Sequence, residues 1–204
     1  MKMNLLLTLF ACVTCARLVA QTPNSIEPPL IPAGFSVWSQ RQDMNQWAGK
    51  HFRLSVAIRA EPADSESFAV AFVRNEYPEQ KARNWVWMDN MFDRPVRDTV
   101  WKTYVLEGMF DRSAPYMGWG VLGYGNGTFY FDDFQLSVET EPGNWQIIPL
   151  VNANFEQEGL EPWQQTSMGV PVRVLGASAL IWETHPFEGK KCLRVTNKFL
   201  SDKD

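Results

Sequence analysis

The chain has 204 residues and a formal net charge of −4, from 19 Lys and Arg against 23 Asp and Glu. An acidic balance with no basic cluster argues against nucleic acid and against anionic membranes as partners. Nine Trp and thirteen Phe are many for this length. Such rings favour pleated, half-buried surfaces, so most are expected in a core. The same flat apolar faces also suit contact with sugar rings.

In chain order, the first segment carries Lys2, an apolar stretch from Leu5 to about Ala16, and Leu18-Val19-Ala20 before Gln21. A charged start, a short apolar run and a small residue before a polar one are the pattern of a secretory signal peptide over residues 1–20. The run is interrupted by Arg17 and is shorter than the roughly 20 residues of a spanning helix. The expectation is an exported protein, periplasmic or extracellular, with no membrane insertion after signal removal. Cleavage after Ala20 would remove Cys12 and Cys15 and leave Cys192 alone. With no intrachain disulfide, stability would rest on a proper core. Residues 21–32 are proline-rich and read as a tether.

Beyond the tether, alternation with period two recurs and helical periodicity is almost absent. From Phe52 to Arg59 the even positions are large and apolar. Phe68 to Val73 and Val100 to Leu106 are further β-rich runs. Met117–Leu122 and Phe129–Val138 form a predicted hairpin pair about Gly123-Tyr124-Gly125-Asn126-Gly127. Phe134, Leu136 and Val138 share one face there. Glu141 to Asn144 marks a break, after which 146–151, Val172 to Trp182 and Cys192 to Thr196 are strand candidates. Many short strands with regular turns predict an all-β sandwich or barrel.

No catalytic motif is legible. Two histidines, His51 and His185, show no zinc-ligand spacing, and no nucleophile elbow or phosphate loop occurs. Cys192 reads as a small core side chain rather than a nucleophile. Asp132 and Asp133 are adjacent on one strand, so they cannot flank a glycosidic bond together. Asp132 shares the parity of Phe134 and Leu136, which aims it toward the core. A buried carboxylate needs a partner or a cation. Calcium is one answer and a hydrogen-bonded acid at a turn is the other.

The stretch Trp87-Met88-Asp89-Asn90-Met91-Phe92-Asp93-Arg94-Pro95, then Trp101-Lys102-Thr103-Tyr104, Gly118-Trp119-Gly120 and Phe131-Asp132-Asp133-Phe134, carries a resemblance. It resembles the galactose-binding-like jelly-roll domains that precede the catalytic domain of some bacterial tail-specific (C-terminal processing) serine peptidases, a fold shared with many carbohydrate-binding modules. The resemblance covers residues 33 to 139 and implies a jelly-roll β-sandwich over 33–140. Asn152-Ala153-Asn154-Phe155-Glu156, Trp163 and Gly189 to Val195 resemble the opening half of such a domain, here placed after the closing half. Residues 145–200 would then either complete one circularly permuted sandwich or begin a truncated second domain. Completion is favoured, because a half-sandwich would leave strand edges and apolar faces in water. In carbohydrate-binding relatives the corresponding acids share a structural calcium, which implies Asp132 and Glu156 as ligands, with Asp133 the weaker candidate.

The function expected from these readings is a secreted, non-catalytic module that binds a glycan or cell-envelope polysaccharide. The alternative is a structural or protein-interaction domain without a sugar site. The candidate ligand residues are Arg83, Trp85, Trp87 and Asp89, with Tyr124 at the hairpin. Alternation puts Trp85, Trp87 and Asp89 on one strand face and leaves Val86 and Met88 for the core.

Overall fold

A computed structural model describes residues 27–31, 33–79 and 84–200. The expected signal segment, part of the tether and Arg83 lie outside these residues.

The described residues are almost entirely β. In order they form β1 (Leu30–Ile31), β2 (Phe35–Asp43), β3 (His51–Pro62), β4 (Phe68–Glu76), β5 (Trp85–Asp89), β6 (Lys102–Met109), β7 (Tyr116–Tyr124), β8 (Gly127–Glu141), β9 (Asn144–Ile148), β10 (Gln164–Ser167), β11 (Val170–Pro171), β12 (Arg173–Val174), β13 (Ala177–Trp182) and β14 (Cys192–Asn197). Two six-stranded sheets result, a first in the order β11-β10-β2-β7-β4-β5 and a second in the order β13-β14-β8-β3-β6, with β9 also paired to β8. Every ladder within them is antiparallel. The two sheets enclose one core in a β-sandwich-like arrangement. Among the described residues no helix is long and apolar enough to cross a membrane.

Alternation explains the core. β3 buries Phe52, Leu54, Val56, Ile58 and Ala60 on one side, and β8 buries Phe134, Leu136 and Val138. β4 is covered on both faces: Ala69, Ala71 and Val73 turn to the core, and Val70 and Phe72 line a cavity on the outer side. The small residues leave room for Trp119 of β7, which is fully buried opposite Val73.

The parity of β8 changes midway. Phe129 and Phe131 face the core, yet so do Phe134 and Leu136. The shift falls at Asp132-Asp133, where Asp133 takes φ +48° and the register with β3 slips between Ser55 and Ala57. Asp132 therefore does not face the core as simple alternation predicts. It pairs with Ala57 on the outer side of the second sheet and is buried beneath Phe187 and Glu188.

Glu141 to Asn144 is the tight turn of the β8–β9 hairpin, with Gly143 at φ +77°. Strands beyond it join both sheets, β10 on β2 and β14 on β8. The intervening segment is pinned by rings. Trp163 lies 4.8 Å from Trp119, 5.1 Å from Phe155 and 5.5 Å from Phe134, and its indole N–H donates to the Asn152 carbonyl at 2.9 Å.

Candidate functional site

The outer face of the first sheet carries two adjoining concavities. Register places Arg74 and Glu76 of β4 opposite Gly118 and Tyr116 of β7, with Arg41 and Asp43 of β2 on the far side of the same strand. Glu76 is shared by two guanidinium groups. Its Oε1 accepts from Arg74 Nε at 2.5 Å and its Oε2 from Arg41 Nε at 2.9 Å. Arg74 is 6% exposed and Glu76 8%, so the pair is charge-assisted in a largely dry setting. Arg41 also donates to the carbonyls of Tyr77 and Pro78 and stacks 3.6 Å over the Tyr116 ring.

Gly118 is what lets this network lie flat on β7. A Cβ there would collide with the Glu76 carboxylate and come within 3.0 Å of Arg74 Nε.

Two chambers open on this face and share Arg74. The polar one, about 320 Å³, is lined by Gln40, Arg41, Asp43, Glu76, Tyr116 and, from the C-terminal half, Gln164 and Thr166. Thr166 is tied to Ser39 of β2 by a buried side-chain hydrogen bond of 2.9 Å. The apolar chamber, about 300 Å³, is lined by Val37, Phe72, Trp85, Met88, Leu122 and Tyr124. The turn between β10 and β11, Met168-Gly169 with φ +51° and +86°, reaches Arg74 and Trp85 and separates the two chambers.

The residues singled out from sequence are divided by this geometry. Trp85 and Tyr124 both line the apolar chamber; Tyr124 is half-exposed and stacks on Phe68 at 4.9 Å. Trp87 does not share their face. The β4–β5 register slips between Asn75 and Glu76, so Val86 is an extra residue and Trp87 turns the other way, edge-on to Phe52 at 5.8 Å. Asp89 is likewise elsewhere, accepting from the Met91 N–H and from Arg94 at 2.6 Å. Arg83 lies outside the described residues.

Sequence reading missed Arg41, Arg74, Glu76, Tyr116 and Gln164. The available signal was Phe72-x-Arg74-x-Glu76: charges on one face of an apolar strand, opposite a strand with Gly118 and Gly120.

Asp132 and Glu156 anchor one segment. Asp132 Oδ1 accepts from its neighbour's N–H at 2.7 Å, and Oδ2 from Phe187 and Glu188 at 3.0 and 3.1 Å. Glu156 Oε1 accepts from the N–H groups of Lys190 and Lys191 at 2.7 and 2.9 Å, which holds its carboxyl below the usual range. Asp133 binds the Gln135 amide through both oxygens. Among the described residues no three acids, histidines or cysteines converge to hold a metal. In this structure the oxygens of these carboxylates accept from backbone and side-chain amides.

Burial drives Asp132 from an ordinary 3.8 up to about 6, against the pull of its three N–H donors. Burial, with Asp132 beside it, also pushes the Cys192 thiol up to about 12, so it stays protonated. A raised folded-state pKa stabilises the protein fully below the unfolded value and loses that contribution as pH rises through 6. In EGTA-containing buffer, wild type should therefore lose on the order of 3 kcal/mol relative to Asp132→Asn between pH 3.5 and pH 7. Urea melts at both pH values read this difference, and parallel pH profiles for the two proteins would refute it.

Comparison with protein-family models, with characterised proteins and with solved structures finds no match to this chain.

Proposed function

We propose that this chain is an exported, non-catalytic binding module of the galactose-binding-like jelly-roll kind, and that its polar chamber holds a glycan. The observation that carries this reading is the chamber itself. The Gln164 amide, the Ser39–Thr166 hydroxyl pair, the Arg41–Glu76–Arg74 network and the Tyr116 ring line one concavity of about 320 Å³. A sugar presents hydroxyls that both donate and accept, and amide, carboxylate and guanidinium groups answer both roles. The network is fixed before any ligand arrives, which lowers the ordering cost of binding. The late placement of β10 and β14 beside β2 and β8 accords with a permuted order of jelly-roll strands.

A glycan array probed with the purified protein, with and without calcium, tests this. The expected result is selective binding that falls at least about tenfold in a folded Tyr116→Ala/Gln164→Ala variant. A structural calcium held by Asp132 and Glu156 belongs to the same proposal and should raise the melting temperature in the calcium arm. A blank array from well-folded protein would favour the alternative, a structural or protein-interaction domain.

A further inference from the structure

The apolar chamber is poorly suited to sugar. Its lining is mostly aliphatic and aromatic, with Asn90, Tyr124 and Arg74 at its polar points, so most hydroxyls of a sugar placed there would lose water without gaining partners. Yet it ends on a buried cation. Arg74 is 6% exposed, its Nε is committed to Glu76, and among the described residues its two terminal nitrogens have no hydrogen-bond partner. The guanidinium lies 5.1 Å from the Trp85 ring centroid and 5.2 Å from that of Phe72, an apolar setting that strengthens attraction to a negative acceptor. The single Glu76 carboxylate is divided between Arg74 and Arg41, so Arg74 has only part of a bonded counter-ion. Of the other nearby acids, Asp43 lines the polar chamber and Glu79 lines a small recess with Arg74 and Trp85; neither lines the apolar chamber.

We infer that the apolar chamber is a second binding site, for a small amphiphile whose single alkyl or aryl body fills it and whose carboxylate meets the terminal nitrogens of Arg74. Its volume of about 300 Å³ accommodates roughly ten methylene-sized groups at the density of a protein interior. Met168, at the β10–β11 turn, lines the chamber beside Trp85 and supplies an adaptable apolar wall. The site is a separate chamber from the proposed glycan site and shares only Arg74 with it.

Calorimetric titration of the purified protein with decanoate, decanol and decyltrimethylammonium, each kept below micelle formation, tests the inference. Decanoate should bind saturably at one site, with decanol at least about tenfold weaker and the cationic amphiphile weaker still. Leu122→Trp, which fills the chamber from β7, should abolish decanoate binding and leave any glycan binding intact. Arg74→Gln should reduce decanoate to the affinity of decanol; should that variant fail to fold, the decanoate-to-decanol ratio in wild type carries the same information. No saturable heat with decanoate up to about 1 mM would overturn the inference. So would equal affinities for decanoate and decanol, or undiminished binding in Leu122→Trp.

Discussion

Replacing Trp163 with alanine should destabilise the protein by about 3–5 kcal/mol, the range for emptying a large aromatic from a packed interior. Trp163 is 4% exposed and sits among Trp119, Phe134 and Phe155. These rings come from β7, β8 and the segment between β9 and β10, so the cavity would open where the C-terminal half meets the rest. Each edge-on or tilted ring pair adds roughly 0.5–1.5 kcal/mol beyond area alone. The Asn152 carbonyl also loses its indole donor. For a protein of this size the melting temperature should fall by roughly 10 °C. Trp145→Ala is the control: that ring packs on Arg53 at 4.0 Å on the outer side of the second sheet, and its loss should cost under about 1 kcal/mol. Urea denaturation followed by near-UV circular dichroism measures both. Equal effects would mean that the ring cluster does not bind the two halves of the chain together.

Glu76→Ala should cost a similar amount, about 3–5 kcal/mol, for a different reason. It leaves Arg74 and Arg41 without their shared counter-ion, and Arg74 is too deeply buried to recover water in exchange. Glu76→Gln keeps one acceptor but sets an amide N–H against the other arginine, so an intermediate loss is expected. Arg74→Met/Glu76→Leu removes the buried charges together and should regain much of the lost stability, because a dry ion pair offsets little more than its own desolvation. The same variant should lose glycan affinity. Recovery of stability without recovery of binding would show that the network is kept for its ligand. Comparable stability of Glu76→Ala and wild type would mean that the arginines are solvated.

The strands with clean alternation were legible in the sequence. Phe52 to Ile58 and Phe134 to Val138 bury the residues their spacing predicts, because each packs one face against the opposite sheet. β2 and β10 were not legible. Ser36, Gln40 and Gln42 interrupt β2, and β10 reads Gln-Gln-Thr-Ser; both are strands because neighbours complete their ladders, not because of an apolar face. Period-two reasoning failed wherever a bulge intervenes. One extra residue at Val86 separates Trp85 from Trp87, and the irregularity at Asp132-Asp133 turns Asp132 outward. A one-residue slip reverses every side chain beyond it, and nothing in the local composition announces these two. The polar chamber was hidden for a further reason. Its residues come from β2, β4, β7 and β10, which are far apart in sequence and meet only through the order of the first sheet.

The central claim, a glycan seated in the polar chamber, is tested most directly by mapping chemical shifts while the strongest array ligand is titrated into labelled protein. The account predicts saturable shifts at Gln40, Tyr116, Gln164 and Thr166 and at the Arg41 and Arg74 side chains, with Trp145 and Arg53 on the opposite sheet unchanged. Shifts centred on the second sheet, or none that saturate with any glycan, would contradict it.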